Sequence, residues 1–417
     1  MTIQQTLASS GGVNWINAIS TYAGITYGSR GIAKDSAGNI YRVSFEDVTA
    51  KKLVVHKFDA VGNIIWTSTA LSTTDDFYFG GIEVDSSNNV YITGSKSSSG
   101  NRTILVAKWD SSGAFQWANL YGLTSIDLVG FGLCCDSSGN IYVCARYYGG
   151  SASRTTGYTF ILKLNSSGTI SWSTGLAGAN TASGIATLNS IARDSSDNIY
   201  VVGQSEENPT YTFKYGVILK YNSSGTQQWK RKFDDGDLRD VTIDSSDNIY
   251  VSGYKTGSPD YFSVIAKYNT SGTIQTYITY KTTGATLENP SSLSCDANGN
   301  LYVGHGLGSV YSYTPSLTLI WANYWNYSVG TSVLAGTTGN VYVRGNNTIA
   351  NFPNNGTKTG TYVVDAVSRA YSASSVSAST ETINESAAGL ISVSPSFTTT
   401  AYTTTSTVSA TATVLYI

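Results

Sequence analysis

One seven-residue pattern recurs seven times along the chain, and it leaves few folds open. It reads Asp35-Ser-Ala-Gly-Asn-Ile-Tyr41, Asp85-Ser-Ser-Asn-Asn-Val-Tyr91, Asp136-Ser-Ser-Gly-Asn-Ile-Tyr142, Asp194-Ser-Ser-Asp-Asn-Ile-Tyr200, Asp244-Ser-Ser-Asp-Asn-Ile-Tyr250 and Asp296-Ala-Asn-Gly-Asn-Leu-Tyr302. A last copy, Gly336-Thr-Thr-Gly-Asn-Val-Tyr342, has lost its Asp. Successive copies lie 50, 51, 58, 50, 52 and 40 residues apart. Repetition at such a period marks an architecture in which each unit buries its apolar face only against its neighbours.

A second pattern alternates with the first. It runs from Lys57 to Trp66, Lys108 to Trp117, Lys163 to Trp172 and Lys220 to Trp229. The fifth copy, Lys267 to Thr276, keeps the turn and loses Trp; the sixth keeps Trp321 and loses the turn Gly; the seventh, around Asn351 to Thr357, again loses Trp. Each pattern is a hairpin. Asp and Asn side chains bond local backbone, and Gly, Asn or Asp supplies the left-handed residue. The residues that follow, such as Ile199-Tyr-Val-Val202, are β-branched and aromatic. Two hairpins per repeat make four strands, A to D, and a four-stranded unit of this length is a propeller blade. In one copy the strands are A (81–84), B (89–93), C (104–109) and D (114–120).

The ends of the chain agree. Ser9-Ser-Gly-Gly-Val-Asn-Trp15 matches Ser111-Ser-Gly-Ala-Phe-Gln-Trp117, so the N-terminus is a D strand with no A, B or C before it. The last repeat has A, B and C but no D-strand Trp. Joining the two completes a seventh blade and removes two sheet edges. The expected fold is therefore all-β: a seven-bladed β-propeller over 1–356, with residues 11–20 completing the last blade. The D-strand Trp residues are expected to pack between blades, with sugar stacking as the alternative.

The Asp-Ser-Ser-Gly-Asn-Ile-Tyr-Val pattern resembles the bacterial β-propeller repeats related to the NHL and SBBP types, over roughly residues 9–356. The resemblance implies the fold; such propellers serve many unrelated functions, so it says little of activity.

Residues 357–417 are rich in Ser, Thr, Ala and Val, and Val408, Ala410, Ala412, Val414 and Tyr416 alternate. A disordered stalk and a set of strands are both open for such a composition, and the alternation favours strands. The expectation is a C-terminal β arm or small β domain, used for anchoring or oligomerisation, with its apolar end covered by another subunit.

Charge excludes some partners. The chain has 417 residues with 25 basic and 27 acidic side chains, a balance unsuited to gripping nucleic acid. No apolar run is long enough for a membrane span. Residues 1–10 have no basic residue and no apolar stretch, so no secretory signal is expected. Four Cys (134, 135, 144 and 295) lack metal-ligand spacing and are expected as small buried hydrophobes rather than a disulfide or metal framework.

No catalytic constellation stands out. His56 and His305, the chain's two His, have no Ser, Cys or ligand companion in sequence. The turn residues Asp35, Asp85, Asp136, Asp194, Asp244 and Asp296 are expected as structural caps; calcium ligation, which needs several carboxylates per loop, is the weaker alternative. No cofactor, metal or enzyme activity is expected.

The A–B and C–D turns are short and uniform, whereas the B–C and D–A connections on the opposite face vary. Variable loops on a rigid scaffold are where binding concentrates. Their aromatic residues, Phe77, Tyr78, Phe79, Tyr147, Tyr148, Tyr211, Tyr261, Tyr324 and Trp325, are the candidate ligand contacts, with rim packing the alternative.

A low-charge repeat without a secretion signal or disulfides suits a particle assembled in the cytoplasm. The expected role is a structural or adhesive component of a bacteriophage particle (tail, fibre or capsid surface), located in the virion. It would bind other virion proteins through the arm and a host-surface glycan through the loops, as an oligomer. A lectin-like bacterial propeller is the alternative; a polysaccharide lyase or lactonase comes after it.

Overall fold

The computed structural model describes residues 31–355 apart from the segments 48–50, 74, 99–100, 124–125, 148–157, 178–185, 207–213, 234–235, 257–260, 283–288, 307, 326–331, 338 and 345–347. It also describes residues 3–6 and 16–19 and short strands between 360 and 409. All the described elements are β-strands, and they form seven antiparallel sheets.

Each sheet is a blade with strands A to D in sequence order. Blade 2 shows the pattern: A is Asp76–Val84, B is Val90–Ser98, C is Asn101–Trp109 and D is Phe115–Gly122. Blade 1 spans 32–73, blade 3 spans 128–177, blade 4 spans 186–233, blade 5 spans 236–282, blade 6 spans 290–325 and blade 7 begins at 332. The A strands of consecutive blades touch one another around a closed ring, blade 7 onto blade 1, so they surround the axis. The fold is a seven-bladed β-propeller.

The chain's beginning closes that ring. Strand Ile16–Ile19 lies antiparallel to strand C of blade 7, Thr348–Pro353, with Ile16 opposite Ala350, Asn17 opposite Ile349 and Ala18 opposite Thr348. It occupies the D position. Trp15 lies outside the described residues. Strand Ile3–Thr6 pairs in turn with Ile16–Ile19 and makes this sheet five-stranded.

The C-terminal strands run backwards round the circumference. A hairpin of Gly360–Val364 and Val367–Ala373 adds to strand D of blade 6. Val376–Ala378 then pairs with blade 5, Glu385–Ser386 with blade 4, Ile391–Val393 with blade 3, Thr398–Ala401 with blade 2 and Val408–Ser409 with blade 1. Where the sequence predicts an arm or a separate small domain, the described strands pair with the outer edges of the chain's own blades. Every blade therefore carries at least one strand beyond its D position. Covering an outer edge satisfies backbone groups that would otherwise template pairing with another chain.

The core follows from period-two alternation. Side chains on opposite faces of a blade enter opposite interfaces, and seven apolar clusters fill the seven interfaces between blades. Between blades 1 and 2, for example, Val43, Leu53 and Val55 meet Ile82, Val90, Ile92 and Leu105. The D-strand Trp residues lie at these interfaces, each on the C–D turn of the next blade. Trp66 packs on Gly113, Trp117 on Gly168, Trp172 on Gly225 and Trp229 on Gly272. Three of these indoles also donate Nε1–H to a carbonyl in that turn: Trp117 to Ser166, Trp172 to Ser223 and Trp229 to Thr270. Trp321 does the same with Asn354 of blade 7.

Candidate functional site

The two ends of the propeller differ in chemistry. At the end with the A–B and C–D turns, the repeated Asp carboxylates are satisfied within the fold. In blade 4, Asp194 Oδ1 accepts the backbone N–H of Ser196 (3.0 Å) and Asn198 (2.9 Å), while Oδ2 accepts Asn198 Nδ2 and the Tyr200 hydroxyl, both at 2.9 Å. Lys220 from strand C stands 3.8 Å from the same oxygen and over the Tyr200 ring. The same Asp–Asn–Tyr set of bonds is made by Asp35, Asp85, Asp136, Asp244 and Asp296. Each carboxylate thus caps its own turn and orients a buried Tyr, using the lone pairs that a cation would need.

The second carboxylates in two of these turns have structural partners as well. Asp197 and Asp247 hold positive φ, 60° in each case. Asp197 accepts both the backbone N–H and the hydroxyl of Ser137 in blade 3, and Asp247 accepts the same pair from Ser195 in blade 4. They join turns of adjacent blades. Among the described residues, no three His, Cys, Asp or Glu side chains cluster as metal ligands.

A cavity of about 210 Å³ opens beside the axis at this end, lined by Glu83, Cys134, Cys135, Arg193 and Thr242 among others, from four blades. The Cys135 thiol is held well above its ordinary range by burial first, then by the nearby Glu83, Cys134, Asp85 and Asp136. It is a protonated thiol and a poor nucleophile. All four Cys are free; Cys134, Cys135 and Cys144 are buried.

Neither His is placed for acid–base chemistry. His56 is fully buried between Ser44 (2.8 Å) and Thr67 (3.0 Å), and burial, then the Arg42 charge, pull its pKa down to about 3. His305 is buried against the Tyr280 hydroxyl at 2.6 Å, and burial lowers its pKa to about 3. Both imidazoles are neutral members of the packing.

The loop-bearing end is different. Cations are stacked over aromatic rings where the strands reach this face. Arg146, at the end of strand B of blade 3, lies 3.8 Å from the Phe131 centroid, Lys232 3.7 Å from Tyr215, Arg102 4.3 Å from Tyr78 and Arg239 5.5 Å from Tyr254. Tyr261, 43% exposed, meets Tyr254 edge-on at 5.8 Å. The Phe131 ring is itself buried, whereas the partly exposed Tyr rings present flat faces flanked by donors, a chemistry suited to sugar rings and polar protein surfaces. In the sequence Arg102, Arg146 and Arg239 are single cations within strands and Lys232 ends a Lys-Arg-Lys run, and only the fold gathers them on one face.

The predicted ligand contacts fare unevenly. Tyr78, half-buried under Arg102, and the exposed Tyr261 lie on the loop face. Tyr147 ends strand B of blade 3 and is half-buried. Tyr324 and Trp325 end strand D of blade 6, where their backbones pair with Ser372 and Tyr371. Tyr148 and Tyr211 lie outside the described residues. Phe77 and Phe79 are corrections: strand A of blade 2 starts at Asp76, and alternation directs both rings into the core between blades 1 and 2, where they are 6% and 2% exposed.

No family model matches the chain, and no curated protein matches it. Among solved structures, the crystal structure of BamB from Moraxella catarrhalis is similar, with a TM-score of 0.43 and 12% identity, covering 84% of this chain and 100% of that one.

Proposed function

We propose that this chain is a non-enzymatic structural and adhesive component of a bacteriophage particle, and that its loop-bearing face is the binding face. The observation that carries the binding role is the contrast between the two ends. At the turn end the repeated Asp carboxylates are consumed by internal hydrogen bonds. At the loop end, Arg, Lys and Tyr side chains are stacked and partly exposed. The girdle of added strands supports a place in a crowded assembly, because a closed circumference resists unwanted edge pairing. The partners in this reading are neighbouring particle proteins and a host-surface glycan. Immunodetection on purified particles tests it: the protein co-purifies with particles in fixed stoichiometry, and its absence from them ends the particle assignment.

A free carbohydrate-binding propeller is the second reading, favoured by the exposed ring of Tyr261 beside Tyr254. Saturable binding on a glycan array, without particle association, would select it.

A further inference from the structure

Arg344 is a buried cation with no anion beside it among the described residues. It ends strand B of blade 7, is 6% exposed, and its Nε has no hydrogen-bond partner. Among the described residues it has no carboxylate partner. Burial alone lowers its pKa, to about 10, with no charged neighbour contributing. Several other cations in the fold are matched with carboxylates: Lys57 with Asp35, Lys96 with Asp75, Lys163 with Asp136, Arg193 with Asp197 and Arg239 with Asp237.

The surroundings are built to hold it. The side chain crosses Gly31, just before strand A of blade 1, where a Cβ would collide with Arg344 Cδ, Cζ and Nη1. Only a residue without a side chain leaves that passage open. The Gly31 backbone is fixed by its N–H donating to Ser332 Oγ of blade 7 at 3.0 Å. The guanidinium carbon then lies 5.8 Å from the ring of Phe79 in strand A of blade 2. Arg344 therefore reaches across three consecutive blades at the inner edge, on the loop-bearing half of the ring.

Withdrawing a guanidinium from water without a counter-charge is strongly unfavourable. A site that accepts that cost, and clears a path for the side chain, is completed by a ligand anion. We propose that Arg344 is the anchor of an oxyanion site at the junction of blades 7, 1 and 2, taking a sulfate or carboxylate group in the fork geometry guanidinium favours. The source is a free inorganic anion or the acid group of a sugar. The inference is independent of whether the protein belongs to a particle, so either can fail alone.

Thermal unfolding of the full chain tests it, with sodium sulfate and a hexuronate oligosaccharide as probes against sodium chloride at matched ionic strength. A saturable rise in Tm of about two to four degrees is expected for wild type, absent in Arg344→Gln and Arg344→Met. A larger rise with the oligosaccharide than with sulfate identifies the acidic sugar as the source; an equal rise identifies the free anion. In chloride alone, Arg344→Met is expected to unfold at or above the wild-type temperature, because it removes an unmatched buried charge. The proposal is overturned by no anion-specific rise in wild type, or by the same rise in the variants. A lower Tm for Arg344→Met in chloride also overturns it, since the guanidinium would then be matched within the fold. Equilibrium dialysis of labelled sulfate against wild type gives a readout that needs no variant; no binding above the chloride background overturns the site.

Discussion

The indole of Trp172 in blade 3 rests on the α-carbon of Gly225 in blade 4, so closely that a Cβ on that glycine would lie 2.8 Å from the indole Cδ2. The glycine also holds φ at 85°, and the indole N–H reaches the Ser223 carbonyl at 3.1 Å. One residue thus serves as turn and as seat for the neighbouring blade. Three physical demands meet there: positive φ, absence of Cβ and a carbonyl acceptor.

Gly225→Ala should therefore cost more than the ~1 kcal/mol of a backbone effect alone, because the indole must also move. Trp172→Ala should cost about 3 kcal/mol, toward the lower end of aromatic truncations because the ring is only half-buried. Urea midpoints of the two variants check this. The double variant should lose less than the sum, since both changes remove the same contact.

Stability should fall with acid in two stages. His56 and His305 have folded pKa values of about 3, below an unfolded value of about 6.5. The unfolded chain binds these protons first, so their stabilisation is complete above the unfolded value and is lost as pH falls toward 3. Asp35 acts at lower pH. Burial pushes its carboxyl up, but hydrogen bonds from Asn39, Lys57 and Tyr41 outweigh this and hold it below the usual range. Its contribution is present above the unfolded carboxylate value, about 3.9, and is lost as pH falls through the depressed folded value. NMR should show neither imidazole titrating between pH 8 and 4, and Asp35→Asn should flatten the acid limb of the unfolding curve.

Much of the architecture is legible in the sequence because its signals are local. The Asp, Asn and Tyr of six A–B turns satisfy one another within seven residues, and the left-handed position is marked by Gly38, Asn88 or Asp197. The match between the N-terminus and a D strand identifies the closure. The C-terminal strands are not legible in position: contacts as short as Glu385–Ser386 on blade 4 leave no periodicity, and their partners are set by the ring. Phe77 and Phe79 were misplaced for a related reason. Their spacing of two is a strand signal, but Asp75-Asp76 before them and Gly80-Gly81 after them are turn-type residues, which hides that strand A already begins at Asp76. Arg344 could not be singled out, because an isolated Arg at a strand end reads as solvated.

The retrograde course of the C-terminal strands predicts intramolecular proximity. Lys281→Cys combined with Ser377→Cys, opposite one another on blade 5, should cross-link within one chain under mild oxidation. Denaturing electrophoresis should show a faster-migrating monomer; exclusively dimeric product would mean that the girdle is exchanged between copies.

On the loop face, Tyr261→Ala should change stability by less than about 0.5 kcal/mol, because the ring is exposed. If that face is the binding surface, the same change should weaken adhesion to the host surface, or to an array glycan, at least severalfold. Wild-type adhesion by this variant would remove Tyr261 from the site.

The seven-sheet ring closed by the chain's own first residues is tested most directly at the seam. Ala18→Cys with Thr348→Cys, and Asn17→Cys with Ile349→Cys, are adjacent cross-strand pairs. One of them has the close, non-hydrogen-bonded geometry that admits a disulfide. Oxidation should form an intramolecular bond in at least one pair, identified by mass spectrometry of a linked peptide, and should raise the unfolding midpoint. Failure of both pairs to link, in protein that is otherwise folded, would contradict the closure.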